Sequence, residues 1–369
     1  MTNGKDTATV KPKAIGIIGM HRSGTSAVAR AVNLLGVYLG EEKDLMKPGP
    51  DNPEGYWERT DICRLQDRML DGLKKKWHTV SPPSGGWHKA EGMRPFRDEL
   101  IELINRDFSG RELWAWKDPR TSLFFDLWKD VLMELGIELA CLYVVRNPLD
   151  VARSLEKRNG FPPDKAFGLW FNYNITALKA SASVPRVFVS YDRFLDDWEG
   201  EMRMCSPELG IPWPGDDREL RENIGSFVRP ELRHSASGLK ELVEAGASEP
   251  VLRLYELLSG VLDGTKAPDD VHAAQIEKLS KDFTAYARFF EHDMAELWER
   301  GLEIVELKRR ERHLERRLTE KDKELTEKDK ELTEKNRLLA ERDRQIHKIL
   351  NSMSWRITAP IRALRSFKK

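Results

Sequence analysis

A-I-G-I-I-G-M-H-R-S-G-T-S, Ala14 to Ser26, runs from a β-branched apolar stretch into a loop with two glycines separated by four residues. The apolar part, Ala14–Met20, is bounded by glycine, the pattern of a buried parallel strand. Thr25 to Leu35 then alternates apolar and polar residues at helical spacing, and Gly36 stands where a helix stop belongs. Strand, glycine loop and helix follow in the order of a phosphate-binding unit, whose backbone N–H groups and helix start offer partial positive charge. Ser23, Thr25 and Ser26 add hydroxyl donors around Gly24, and Arg22 adds a full cation. A kinase or ATPase carries lysine after the second glycine; this chain has Thr25. No strand ending in an acid stands ready to hold magnesium. The loop suits an anion that needs no metal.

Working outward, three further strands are expected at Leu113–Lys117, Glu138–Val145 and Arg186–Tyr191, separated by helical stretches near 121–135, 148–158 and 165–181. Strands alternating with helices predict an α/β fold, a parallel sheet with helices on both faces. Arg22, Lys117, Arg146 and Tyr191 each follow or close a strand, at the sheet edge where ligands bind in such folds. Trp170 and Tyr173 sit at helical spacing and read as core.

The strongest partner of the glycine loop is R-N-P-L-D-V-A-R-S-L-E-K-R, Arg146 to Arg158, directly after a strand. Asn147–Pro148 opens a helix, with proline where its missing N–H costs nothing. Ser154 and Arg158 lie one turn apart on that helix and can face one side. Two guanidiniums and a hydroxyl converging on one point would clamp a phosphate.

With these residues the chain resembles the 3′-phosphoadenosine 5′-phosphosulfate (PAPS) dependent sulfotransferases, and within them the tyrosylprotein-type branch and its bacterial carbohydrate-acting relatives. The resemblance rests on R-S-G-T (Arg22–Thr25), K-D-P-R (Lys117–Arg120), R-N-P…S…R (Arg146, Ser154, Arg158) and V-S-Y-D (Val189–Asp192), in that order. It covers about residues 14–240 and leaves the C-terminal helix aside. It implies a three-layer P-loop sulfotransferase-like sheet and PAPS as co-substrate, with no metal. It also implies that Arg22, Ser23, Gly24, Thr25 and Ser26 hold the 5′-phosphosulfate, that Arg146, Ser154 and Arg158 hold the 3′-phosphate, and that Tyr191 contacts the nucleotide. Lys117 would stabilise charge on the transferring group, with Arg22 beside it. Cytosolic sulfotransferases carry a catalytic histidine two residues beyond the equivalent lysine, where this chain has Pro119. The base is then expected in the loop P-D-N-P-E-G-Y-W-E, where Glu54 is favoured. Pro53 and Gly55 bracket it, and Tyr56 and Trp57 could lower local polarity. Glu58 and Asp118 are the alternatives, with Glu41 and Glu42 just upstream. Arg229, Arg233 and His234 could close over the nucleotide.

The remaining composition sets limits. Lys+Arg and Asp+Glu number 61 each, so bulk charge gives no reason to expect a nucleic-acid partner. Cys63, Cys141 and Cys205 are widely spaced, as in a cytoplasmic protein with reduced thiols. The first residues carry no apolar core of a signal peptide, and no apolar run reaches the roughly 18 residues of a membrane span. The organisation expected is a flexible tail at 1–13, the P-loop domain at 14–265, a long helical or coiled-coil segment at 266–350 and a basic amphipathic tail at 351–369.

Leu318, Leu325, Leu332, Leu339, Ile346 and Met353 recur every seventh residue, but the second seam position is mostly Lys or Asp. That pattern admits a solvated helix held by i,i+4 charge pairs, a homo-oligomer through the C-terminal helix, or a disordered tail. Residues 354–369 mix Trp355, Ile357, Ile361, Leu364 and Phe367 with cations and no acids, which suits peripheral contact with the inner membrane face or a protein partner.

The function expected is sulfuryl transfer from PAPS to an acceptor hydroxyl of a carbohydrate or glycolipid in surface polysaccharide biosynthesis, the carbohydrate part resting on a resemblance of the tail to cell-surface polysaccharide enzymes. The alternatives are an atypical P-loop kinase or nucleotide hydrolase, and a non-catalytic nucleotide-binding scaffold.

Overall fold

The computed structural model describes residues 11–215, 218–228, 237–265, 273–289 and 291–366. The chain forms two compact units, Met1–Ala295 and Glu296–Lys369. The first opens with β1 (Lys13–Ile18) and α1 (Thr25–Leu34), then α2 (Thr60–Gly72) and α3 (Arg94–Asp107). It continues through β2 (Leu113–Lys117), α4 (Thr121–Glu134), β3 (Glu138–Val145), α5 (Pro148–Asn159), α6 (Pro163–Ala180) and β4 (Arg186–Ser190). Helices α7 (Tyr191–Asp196), α8 (Trp198–Leu209), α9 (Arg218–Phe227), α10 (Leu239–Glu244), α11 (Glu249–Leu262) and α12 (Ala273–Phe289) follow. Then come α13 (Glu291–Leu350), α14 (Met353–Ile357) and α15 (Ala359–Ser366).

The four strands make one parallel sheet in the order β2-β1-β3-β4. Successive residues of a strand face opposite sides, and the two sides build two cores. Ala14 and Ile18 of β1 and Cys141, Tyr143 and Val145 of β3 face a core shared with α2, α3, α4, α6 and α11. Ile15 and Ile17, with Ala140, Leu142 and Val144, face a smaller core shared with α1, α7, α8 and α9. This is the α/β architecture expected from the alternating strand and helix patterns. The tryptophans of L-W-A-W-K lie two residues apart and therefore share a face: Trp114 stacks on Phe108 at 4.1 Å and Trp116 on Trp128 at 4.2 Å. Trp170 and Tyr173 are buried in α6, as their spacing predicts. α12 lies in the first compact unit and packs on α6, where Lys179 pairs with Glu277 at 3.0 Å, although the sequence groups it with the long helical segment.

The α5 start follows its sequence signals closely. The Asn147 side chain accepts from the Leu149 N–H at 2.8 Å, Pro148 occupies the first turn, and Gly160 ends the helix in a left-handed conformation. The three cysteines are buried as free thiols. Among the described residues no helix is long and apolar enough to cross a membrane.

Because Trp128 is buried and stacked on a strand residue of the larger core, Trp128→Ala should destabilise the first unit by about 3–5 kcal/mol. Urea unfolding followed by circular dichroism measures this, and a midpoint equal to that of the unaltered chain would contradict the assignment of this stack to the core.

Candidate active site

All four strands run parallel, so their C-terminal ends share one edge, and the β1 and β3 ends meet where the strand order reverses. The loop Gly19–Gly24 occupies that place. Ser122 of α4 fastens its start, accepting from the Gly19 N–H at 3.1 Å and donating to the Gly19 carbonyl at 3.2 Å. Gly24 has φ 87°, and a Cβ there would fall 1.9 Å from the Tyr191 ring. The second glycine of the loop is thus required twice, by its backbone angle and by Tyr191. α1 begins directly after it with no side-chain cap and no acidic residue in its first turn, leaving a helix start suited to an anion.

Arg22 has φ 70°, a left-handed angle that costs a non-glycine residue roughly 1–2 kcal/mol. Its Nε donates to Ser154 Oγ at 2.8 Å, across the sheet edge onto α5. Arg146 donates to the Arg22 carbonyl at 3.0 Å and lies over the Tyr191 ring at 4.8 Å, while its buried Nε meets no partner. Arg22 and Arg158 both approach Asp51 Oδ2 at 3.6 Å, and Arg22 also donates to the Asp51 carbonyl at 3.1 Å. Tyr56 donates its hydroxyl to Asp51, and burial together with that bond pushes its pKa up to about 12. The glycine loop and the Arg146–Arg158 segment are therefore contiguous, with Arg22, Ser154 and Arg158 linked directly or through Asp51.

A second cluster lies at the end of β2. Lys117 Nζ donates to Glu58 Oε1 at 2.5 Å, to Ser26 Oγ at 3.1 Å and to the Tyr56 carbonyl at 3.1 Å. Both side chains of the ion pair are buried. Arg120 approaches the other Glu58 oxygen at 3.7 Å, and Cys63 Sγ donates to it at 3.2 Å. Asp118 is fully buried and occupied: it accepts from Gln66 at 2.8 Å and from the Arg120 backbone N–H at 2.9 Å, and it pairs with the Arg120 guanidinium at 3.0 Å. Glu58, Cys63 and Asp118 come within 4.8 Å of one another, close enough for a metal, but the two carboxylates are already engaged by Lys117 and Arg120. Burial pushes the Cys63 thiol well up.

Local backbone explains why Glu58 turns inward. Trp57 adopts φ 56°, held by Arg30 over its ring at 4.2 Å and by its indole N–H donating to the Glu54 carbonyl at 3.0 Å. The Met46 N–H donates to the Glu58 carbonyl at 2.7 Å, and buried Arg59 is anchored by Asp61 at 2.7 Å and by Asp107. Glu54, at the outer turn of the same loop, is exposed and away from Lys117's hydrogen bonds. Asn52 completes the strap by donating to Ser26 Oγ at 3.2 Å.

Of the residues singled out from sequence, Arg22, Arg146, Ser154 and Arg158 come together with the loop, and Lys117 joins it through Ser26. Ser23 and Thr25 are buried in the loop, and Tyr191 packs beneath it. Arg229, Arg233 and His234 lie outside the described residues. Sequence reading missed Asp51, Arg120 and His21. His21 Nε2 is enclosed without a partner, and the ring lies against Trp77 at 4.6 Å and Tyr173 at 5.6 Å. Burial first, then Arg120, Arg158, Lys117 and Arg22, hold its pKa well below the usual histidine value. Its place inside the glycine loop was the signal available.

No family model matches this chain, and no curated protein does. Among solved structures it is similar to the sulfotransferase domain from the Synechococcus PCC 7002 olefin synthase, at 17% identity and TM-score 0.36, over 76% of this chain and 98% of that one. It is also similar to the sulfotransferase domain from the curacin biosynthetic pathway, at 15% identity and TM-score 0.35, over 74% of this chain and 98% of that one.

Asp51 places a carboxylate between two guanidiniums that an incoming anion would also use. Asp51→Asn should therefore strengthen pyrophosphate binding roughly threefold or more, since two partly exposed ion pairs of up to about 1 kcal/mol each no longer compete. Isothermal titration calorimetry reads this directly; weaker binding in the variant would mean that Asp51 orders the cations rather than competing with the anion.

Proposed function

We propose that this chain transfers a sulfuryl group from 3′-phosphoadenosine 5′-phosphosulfate to an acceptor hydroxyl. The observation that carries the reading is the contiguity of two basic clusters: Arg22, Arg146 and Arg158 with Ser154 on one side of the loop, and Lys117 with Glu58 on the other, joined through Ser26. The motif resemblance supports the same donor. The unpartnered buried Nε of Arg146 and the uncapped start of α1 are donors that fit a bisphosphate anion.

In this reading Arg146, Ser154 and Arg158 hold the 3′-phosphate, while Arg22 and the loop N–H groups hold the phosphosulfate. The donor supplies an electrophilic sulfur and a leaving phosphate. Lys117 neutralises negative charge growing on the bridging oxygen, an effect of the order of 10²–10³ in rate for one preorganised donor. The base is Glu58 rather than Glu54. Its carboxylate is buried beside Lys117 and the loop hydroxyl of Ser26, whereas Glu54 is exposed and Asp118 is fully bonded. Glu58 takes the acceptor proton as the oxygen attacks sulfur, and the S–O bond to the phosphate breaks with its electron pair leaving on phosphate.

The acceptor is proposed to be a carbohydrate or glycolipid, and the chain to work at the inner membrane face through 354–369. Two features support this: the resemblance of the tail to polysaccharide enzymes, and the exposed Trp355, Ile357 and Ile361 beside Arg356 and Arg362. Flotation with anionic liposomes, lost on deleting 354–369, is the expected result for the tail.

Two measurements test the chemistry. Thermal-shift titration with 3′,5′-ADP should give saturable stabilisation that Arg146→Ala abolishes; no stabilisation in the unaltered chain would refute the donor assignment. Transfer of radiolabelled sulfur into a mixture of neutral sugars, uronates and phenols should fall by about 10²–10⁴ in Glu58→Gln and stay near normal in Glu54→Gln. The reverse pattern would return the base to Glu54.

A further inference from the structure

The 60-residue helix α13 carries a row of exposed aliphatic residues at seven-residue spacing that its own unit leaves bare. With Leu318 as the first seam position of a seven-residue repeat, conventionally a, the a positions run from Ile304 to Ile346 and the d positions from Leu307 to Ile349. The aliphatic residues along them are 52–65% exposed. Aliphatic residues stand at neighbouring a and d positions near both ends of the stripe: Ile304 with Leu307, Leu314 with Leu318, and Ile346 with Ile349. The departures are Glu311 at a, between Leu307 and Leu314, and Lys321, Lys328, Lys335 and Arg342 at d in the middle.

We infer that a second copy of this chain covers the stripe, as a parallel, in-register two-stranded coiled coil. Charge decides the partner and the direction. In a parallel pair each d residue packs beside the e residue of the other chain, so Lys321, Lys328 and Arg342 would meet Asp322, Asp329 and Asp343 of the second copy. The g residue of one chain faces the e residue five positions later on the other, which joins Glu303 to Lys308, Arg310 to Glu315 and Arg317 to Asp322. One such pair, Glu324 with Asp329, is repulsive. An antiparallel pair would set e against e and g against g, facing the acidic e row of the central repeats with itself. Long basic side chains at d keep their charge at the edge of a two-stranded seam while their stems cover the neighbouring leucines. A three-stranded core would seal those charges from water at high cost.

Sedimentation equilibrium on the full chain tests the assembly. The expected mass is that of two chains, falling to one in Leu325→Asp/Leu332→Asp and shifting to tighter association in Lys328→Leu. Direction is read by oxidative cross-linking of Leu318→Cys against Lys323→Cys, which lies on the opposite face; Cys63, Cys141 and Cys205 are buried and leave the new thiol distinct. Leu318→Cys should form a disulfide-linked dimer and Lys323→Cys should not. A monomer or a trimer for the unaltered chain, or a dimer whose Leu318→Cys variant cross-links no faster than Lys323→Cys, overturns the proposal.

Discussion

The site is organised around one ion pair withheld from water: the Lys117 ammonium against the Glu58 carboxylate at the end of β2. A buried pair repays little of its desolvation as stability, and apolar residues of the same size would often serve a fold as well. The pair is nonetheless wrapped by further polar groups. Ser26 and the Tyr56 carbonyl take the other Lys117 protons, while Cys63 donates to the second Glu58 oxygen and Arg120 stands 3.7 Å from it. These bonds tie the glycine loop, the strap before α2 and the β2–α4 turn into one body. Asp118 belongs to the same frame as a bracket for Arg120.

Contiguity of the two basic clusters follows from topology and from one strained residue. The β1–β3 reversal brings the loop and the α5 start side by side, and the left-handed angle of Arg22 accompanies the reach of its side chain to Ser154. Arg146 closes the arrangement from the other side by binding the Arg22 carbonyl. Gly24 lets Tyr191 pack against the loop from beneath. Each contact joins residues more than a hundred positions apart in the chain, which only the parallel sheet makes neighbours.

Much of this was legible in the sequence where local physics decides. Strand boundaries at Leu113–Lys117 and Glu138–Val145 follow from apolar runs, and the α5 start follows from Asn147–Pro148. The strand-end placement of Lys117 and Arg146 needed only the parallel-sheet rule. That Glu58 rather than Glu54 turns inward is not legible in the sequence, because it turns on the positive φ of Trp57, a bulky residue for which no local rule predicts such an angle. The role of Asp51 was equally hidden, since its partners Arg22 and Arg158 come from two other segments. Helical periodicity cannot say which body a helix packs on, so the sequence does not separate α12 from the helix that follows it.

Asp51, Asn52, Tyr56 and Glu58 sit on one short strap, and among them they touch Arg22, Arg158, Ser26 and Lys117. That strap therefore contacts both clusters. An anion held by Arg22 and Arg158 would weaken their pull on Asp51, and the change would reach Lys117 through Tyr56, whose hydroxyl binds Asp51 and whose carbonyl accepts from Lys117. The backbone between Tyr56 and Glu58 is short and pinned at Trp57 and Arg59, so a shift at Asp51 has few ways to dissipate before it meets Glu58. Under the proposed chemistry, binding of the donor and placement of the base are then a single mechanical event.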